Sequence, residues 1–289
     1  MDTRAIFMGV IFAAMWSSAF TSARIIVAAA PPLSALSVRF LISGLIAIAI
    51  ALALGQSWRL SKAQWRATLI FGLCQNALYL GLNFVAMQWV EAGLAAIIAS
   101  TMPLLVALIG LAGFGEKLSP LGFAGVAAGM VGVTLIMGTR LSGGADLTGV
   151  LLCIIAALAL AIATLSVRNA SSGGNVMMIV GLQMLVGSAI LAPFAVALET
   201  PEVSMSWQLV VAFIYTTLVP GLAATWVWFL LVGRIGAVKA ATFHFLNPFL
   251  GVAIAAVILG ESLGSSDLIG VVIITAGILA VQLSRASRI

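Results

Sequence analysis

Charge is what this chain has least of. Thirteen basic and eight acidic residues, 7% of 289, leave too little polar surface to cover a water-soluble globule of this size. Cysteine is almost missing as well. Cys74 and Cys153 fall in separate apolar stretches, so they read as small core residues and not as a disulfide or a metal pair. A single histidine, His244, cannot build a histidine metal centre. No His-Glu-x-x-His, no Gly-x-Ser-x-Gly and no glycine-rich phosphate loop with lysine is present, and these absences remove zinc hydrolysis, serine hydrolysis and nucleotide-driven chemistry from the expectations. The chain is therefore expected not to be an enzyme and to need no metal or cofactor. Its pI near 9.9 does not signal nucleic acid, because no basic run has interleaved aromatics.

What is present is hydrophobic: 63% of the residues, with a mean hydropathy of +1.25. A membrane-crossing helix needs about 20 mostly apolar residues. Ten such runs can be drawn, at 6–27, 34–54, 66–88, 92–114, 120–138, 147–167, 176–198, 207–230, 236–259 and 267–284. Stretches such as Leu147 to Ala163 are apolar on every side, which rules out the alternating pattern of a membrane β-barrel. The expected fold is an all-α integral membrane protein.

The chain then repeats itself. Met102-Pro103 followed by Gly115-Glu116-Lys117-Leu118 returns 145 residues later as Asn247-Pro248 and Gly260-Glu261-Ser262-Leu263, and Gly125 and Gly132 return as Gly270 and Gly277. Residues 1–141 and 142–289 are therefore expected to form two five-helix units. An odd number of spans per unit makes the second enter the membrane from the opposite side, so the repeats should be inverted. With both termini in the cytoplasm, Arg4, Arg59, Lys62, Arg66, Lys117, Arg168, Arg234, Lys239, Arg285 and Arg288 lie inside, and only Arg24, Arg39 and Arg140 lie outside, as the positive-inside rule requires. The first span superficially imitates a secretory signal, but its removal would break the five-plus-five symmetry.

Ten spans in two repeats, with a proline and a following Gly-Glu at the end of the fourth and ninth spans, resemble the EamA-type drug/metabolite transporter superfamily, and most of all its bacterial aromatic amino-acid exporters. The resemblance covers the whole chain. It implies a central cavity between inverted repeats, outward transport of small metabolites by alternating access, and residence in a bacterial inner membrane.

The residues narrow this further. All eight acids, Asp2, Glu91, Glu116, Asp146, Glu199, Glu202, Glu261 and Asp267, fall near span ends or in loops. A buried carboxylate to carry protons or organic cations is thus absent, which favours a neutral or zwitterionic solute; an ionised group at the bilayer centre costs about 2.5–3.5 kcal/mol on insertion scales. Gln75, Tyr79 and Asn83 stand four apart in the third span. They form a polar face that either lines a cavity or bonds to neighbouring helices. Trp16 in the first span is a candidate cavity wall. Trp228 in the eighth is either wall or interfacial belt. Ser100 beside Pro103, and His244 with Asn247 beside Pro248, mark two helix breaks related by the repeat. His244 is a ligand, a proton site or an interhelical hydrogen-bond partner. Glu116 and Glu261 are structural connectors or coupling groups, each expected near the start of the helix that follows it. The expected partners are a small-molecule substrate, an amino acid by preference, and the lipid bilayer, with a monomeric chain; nucleobase export, and a channel or lipid scramblase, are the alternatives.

Overall fold

The computed structural model describes residues 3–114, 119–167, 173–235, 240 and 242–286. Glu116 lies outside them, as do Asp2, Lys117, Arg168, Lys239 and Arg288. The described chain is helical with ten membrane-length helices: α1 Thr3–Val27, α2 Pro32–Ala53, α3 Lys62–Ala86, α4 Ala92–Ala112, α5 Pro120–Ser142, α6 Leu147–Leu165, α7 Val176–Leu198, α8 Trp207–Ile235, α9 Thr242–Leu259 and α10 Ser265–Ser284. Where an end differs from the hydropathy reading, a cap explains it. The α3 helix begins before residue 66 because Ser61 and Gln64 form a capping box: the Gln64 N–H donates to Ser61 Oγ at 3.2 Å, and the Ser61 N–H to Gln64 Oε1 at 2.8 Å. A polar first turn of this kind is invisible to hydropathy. Ser119 caps α5, its Oγ accepting from the Gly122 N–H, with Pro120 as the first helical residue, and Gly260 ends α9 with φ +68°.

The inversion of the two repeats can be read from glycines. A Cβ placed on Gly125 would stand 2.7 Å from the carbonyl oxygen of Gly277, and one on Gly132 would stand 2.9 Å from that of Gly270. Gly125 and Gly132 are the repeat equivalents of Gly270 and Gly277. Each therefore packs on the counterpart of the other, the reciprocal contact that a two-fold axis generates, and the rising number on α5 against the falling number on α10 makes the pair antiparallel. The α2–α7 pair is antiparallel too: Gly44 meets Gly181, and Ser188 Oγ donates to the Ser37 carbonyl at 2.9 Å. Small residues let these backbones approach in the absence of a hydrophobic driving force between helices.

Polar links between the repeats obey the same symmetry. The Glu199 carboxylate, just after α7, accepts the Leu33 and Ser34 N–H groups at the start of α2 at 2.7 and 2.8 Å. The Gln56 side chain, just after α2, accepts the N–H of Met178, the equivalent of Leu33, at the start of α7. Glu261 acts in the same way but not where the sequence reading put it. Its carboxylate does not serve α10, the helix that follows. It accepts the Ala92 and Gly93 N–H groups of α4, in the other repeat, at 2.7 and 2.8 Å. The start of α4 has otherwise unpartnered donors and the positive end of a helix dipole, and local sequence reasoning cannot see a helix terminus 169 residues away. At the same end of the bundle Arg140 pairs with Glu91 at 2.7 Å and Asp267 at 2.8 Å, and Arg24 donates to the carbonyl of Met87.

Both expected helix breaks are present. The α4 helix is interrupted at Thr101, one residue before Met102-Pro103. The α9 helix runs as a 3-10 turn over Thr242–Leu246 and becomes α-helical at Asn247, with Pro248 in the first turn of that segment. Proline is tolerated there because the first-turn N–H needs no intrahelical partner.

Candidate functional site

Two departures from regular α-helix shape the middle of the bundle. The α3 helix is π-helical over Gly72–Leu80, and α8 over Val219–Ala223, where Pro220 removes a backbone donor. A π turn carries an extra residue per hydrogen-bonded loop. In α3 Asn76, three residues before Tyr79 and seven before Asn83, shares their helical face, and with Gln75 these residues line one internal cavity. Trp16 and Phe20 of α1, Arg39 and Phe40 of α2, Gln183 of α7, and Thr216, Gly221 and Thr225 of α8 also line it, with apolar side chains filling the rest of the wall.

The cavity holds about 70 Å³. That is room for several water molecules and about half the ~150 Å³ that admits benzene, so a larger solute requires the helices to part. Tyr79 is 2% and Asn83 1% exposed. Asn83 Nδ2 donates to the Tyr79 carbonyl at 2.8 Å, while Asn83 Oδ1 has no partner. Asn76 Nδ2 donates across to the Gln183 carbonyl of α7 at 2.8 Å, fixing α3 against the second repeat.

Arg39 corrects the sequence reading most sharply. Counted with the bases on the outer side of the membrane, it is only 5% exposed and lines the cavity. Its guanidinium carbon sits 5.3 Å from the Phe40 ring centre, and its Nε has no hydrogen-bond partner. Gly221 makes the space: a Cβ there would stand 3.4 Å from Arg39 Nη2. Counting basic residues by side assumes that each sits in a loop, and Arg39 instead lies two turns inside α2.

The remaining candidates form a second group. Phe12, Trp16, Trp228 and His244 cluster where α1, α8 and α9 meet: Phe12 to Trp228 is 4.8 Å between ring centres, Trp228 to His244 5.4 Å and Trp16 to His244 6.3 Å. Trp228 is thus an internal residue, and Trp226, 58% exposed, is the one that faces outward. His244 Nδ1 lies 2.9 Å from Asn247 Nδ2, and Ser17 Oγ donates to Asn247 Oδ1 at 3.5 Å. An amide nitrogen can only donate, so with this orientation of Asn247 the histidine Nδ1 is the acceptor. Trp16 belongs to both groups and joins the cavity to the aromatic cluster. Ser100 belongs to neither. Its hydroxyl donates to the Ala96 carbonyl at 2.6 Å, within its own helix, and Pro103 and Pro248 shape the breaks without lining the cavity.

A larger cleft of about 460 Å³ lies beside Glu91, Arg140 and Asp267. Its charged groups already satisfy one another, whereas the smaller cavity contains buried polar atoms without partners. The smaller cavity is therefore the candidate site. Arg39, Asn76, Gln183, Thr216 and Thr225 are the wall residues that sequence reasoning missed. Arg39, Gln183 and Thr225 are single polar residues in apolar surroundings, Asn76 and Thr216 stand beside other polar residues, and only tertiary packing makes the five neighbours.

Comparison with known proteins agrees with this architecture. The sequence model of the EamA-like transporter family matches twice, over residues 3–138 and 147–283. The chain is 27% identical to "Uncharacterized transporter YvbV" of Bacillus subtilis (strain 168), over 93% of this chain and 88% of that protein. It is 28% identical to "Uncharacterized inner membrane transporter YedA" of Escherichia coli (strain K12), over 94% and 88% respectively. It is also 24% identical to a "Probable amino-acid metabolite efflux pump" of Salmonella typhimurium, over 94% and 92%. A crystal structure that is 22% identical shares the fold, with a TM-score of 0.70 over the whole of both chains.

Proposed function

The chain belongs to the EamA-like transporter family, a multi-pass membrane transporter of small metabolites and not an enzyme, and from that premise we propose that it exports amino acids, aromatic ones included, across a bacterial inner membrane. The observation that carries this reading is the cavity itself: amide, phenol and indole groups of Gln75, Asn76, Tyr79, Asn83 and Trp16, with no carboxylate among the described residues that line it. Such a lining suits a small solute with a polar head and an organic side chain, and does not suit a cationic drug. Trp16 links the polar pocket to the cluster of Phe12, Trp228 and His244. As α1 and α8 part, a substrate side chain enters between these rings.

Transport follows an alternating-access cycle in which the two repeats rock about the cavity. Glu261 clamps α4 to the end of α9. Contacts of this kind at one end of the bundle hold it shut while the other opens. Both termini are cytoplasmic in this reading, and one chain supplies the whole bundle as a monomer. Uptake of radiolabelled amino acids into liposomes containing the purified protein tests the proposal. Saturable uptake that is abolished in the Tyr79→Ala, Asn83→Ala double variant is expected. Unchanged uptake in that variant would remove the cavity from the mechanism.

A further inference from the structure

Arg39 is a cation buried inside the membrane bundle, and no described residue pairs with it. Among the described residues its guanidinium makes no hydrogen bond or ion pair; its one specific contact is with the Phe40 ring. No described carboxylate reaches it, because Glu91 and Asp267 are held by Arg140 and Glu199 and Glu261 are bound to the ends of α2 and α4. Burying one member of an ion pair without the other is among the costlier arrangements in a protein, and a fold that keeps it has a use for the missing anion. The same cavity holds the opposite defect. Asn83 Oδ1 is a buried acceptor without a donor, and behind the wall Ser43 Oγ, 3.7 Å from the position a Gly221 Cβ would take, is also unpartnered.

We propose that Arg39 is the anchor for the substrate carboxylate and Asn83 Oδ1 the acceptor for its ammonium group, so that the cavity reads the zwitterionic head of an α-amino acid. The inference rests on the function proposed above and assigns the two ends of its substrate. A planar guanidinium matches a carboxylate with two parallel hydrogen bonds, and the free carbonyl oxygen of Asn83 takes an N–H. A volume of about 70 Å³ suits a head group and leaves the side chain to Trp16. Each unpartnered polar atom then finds its complement when substrate enters, and binding rewards the carboxylate and the amine separately.

Three ligands with one side chain separate the two contacts: phenylalanine, phenylethylamine, which lacks the carboxylate, and phenylpyruvate, which lacks the ammonium. Their affinities are measured by quenching of tryptophan fluorescence on the full-length protein in detergent, with flux in liposomes measured beside them. In the wild type, phenylalanine should bind about 10- to 100-fold more tightly than phenylethylamine, the loss that corresponds to a charge-assisted hydrogen bond. Arg39→Gln should abolish that preference, leaving phenylethylamine unaffected, and Arg39→Lys should restore part of it. Asn83→Leu should weaken phenylalanine while sparing phenylpyruvate. Removing an uncompensated buried charge should also leave the unfolding temperature of Arg39→Gln equal to or above that of the wild type, whereas a purely structural arginine would lower it. Equal wild-type affinity for phenylalanine and phenylethylamine overturns the assignment without recourse to any variant, and so does a folded Arg39→Gln protein that still prefers phenylalanine. If the ligands bind in the expected order but none crosses the membrane, the transport reading falls and the recognition site stands. If amino acids cross and Arg39→Gln changes nothing, the reverse holds.

Discussion

Glu261 offers a quantitative test of whether the Gly-Glu elements are clamps or coupling groups. Its carboxylate takes two backbone N–H groups at the start of α4, at 2.7 and 2.8 Å. A hydrogen bond to a charged partner contributes about 1.5–3 kcal/mol net, and because Glu261 is only half-buried the lower end applies to each. Glu261→Ala should therefore cost about 3 kcal/mol. At about 2–4 °C per kcal/mol for a chain of this order of size, unfolding followed by tryptophan fluorescence in detergent should move down by about 6–12 °C. Glu261→Gln keeps one acceptor oxygen but loses the attraction of a charge to the helix dipole, and should lose about half as much. Glu202, which is exposed at the other loop of the same end, is the control: Glu202→Ala should leave the transition where it is. An Ala variant at position 261 with wild-type stability but no transport would refute the clamp and make Glu261 a coupling group.

Other predictions follow from the same geometry. Gly277→Leu should destabilise the protein strongly, because even its Cβ would fall 2.6 Å from the Gly125 carbonyl and 2.7 Å from the Gly129 nitrogen; overpacking of this kind costs about 1–3 kcal/mol or more, and loss of folded yield in detergent measures it. Arg140→Gln should cost on the order of 3 kcal/mol, since it strands Asp267, whose side chain is 4% exposed, and thermal unfolding should show the loss at low and at high salt alike. His244→Gln should keep downhill amino-acid flux in liposomes, because His244 accepts a hydrogen bond from Asn247 and otherwise meets the rings of Phe12, Trp16 and Trp228, with no carboxylate among these partners to exchange a proton with; abolished flux with substrate binding retained would make it the proton site instead.

The regularity of the fold explains how much of it was legible. Ten apolar runs, an offset of 145 residues and glycines repeated at that offset are one-dimensional signals. They led to the ten helices and to the inversion. Gln75, Tyr79 and Asn83 were legible because polar residues four apart on an apolar helix have few reasons to exist. Arg39 was not, since the span at 34–54 enclosed it but the count of bases by side treated it as a loop residue, and only the packing of α2 puts it beside Gly221. Asn76 carries the same signal, three residues before Tyr79 and seven before Asn83, and a stripe read only at intervals of four passes it by. The partner of Glu261 needed the three-dimensional fold, because the donors it satisfies belong to the other repeat. Ser100 shows the opposite error: a hydroxyl beside a proline break invites a ligand, but its own helix supplies its acceptor.

Counterflow in liposomes tests the central claim most directly. Vesicles loaded with unlabelled phenylalanine, diluted into a trace of labelled phenylalanine, should accumulate label transiently above equilibrium, with a rate that saturates with external substrate and vanishes in the Tyr79→Ala, Asn83→Ala variant. Label that merely equilibrates, at a rate proportional to concentration and indifferent to the internal load, would show a pore and contradict alternating access through this cavity.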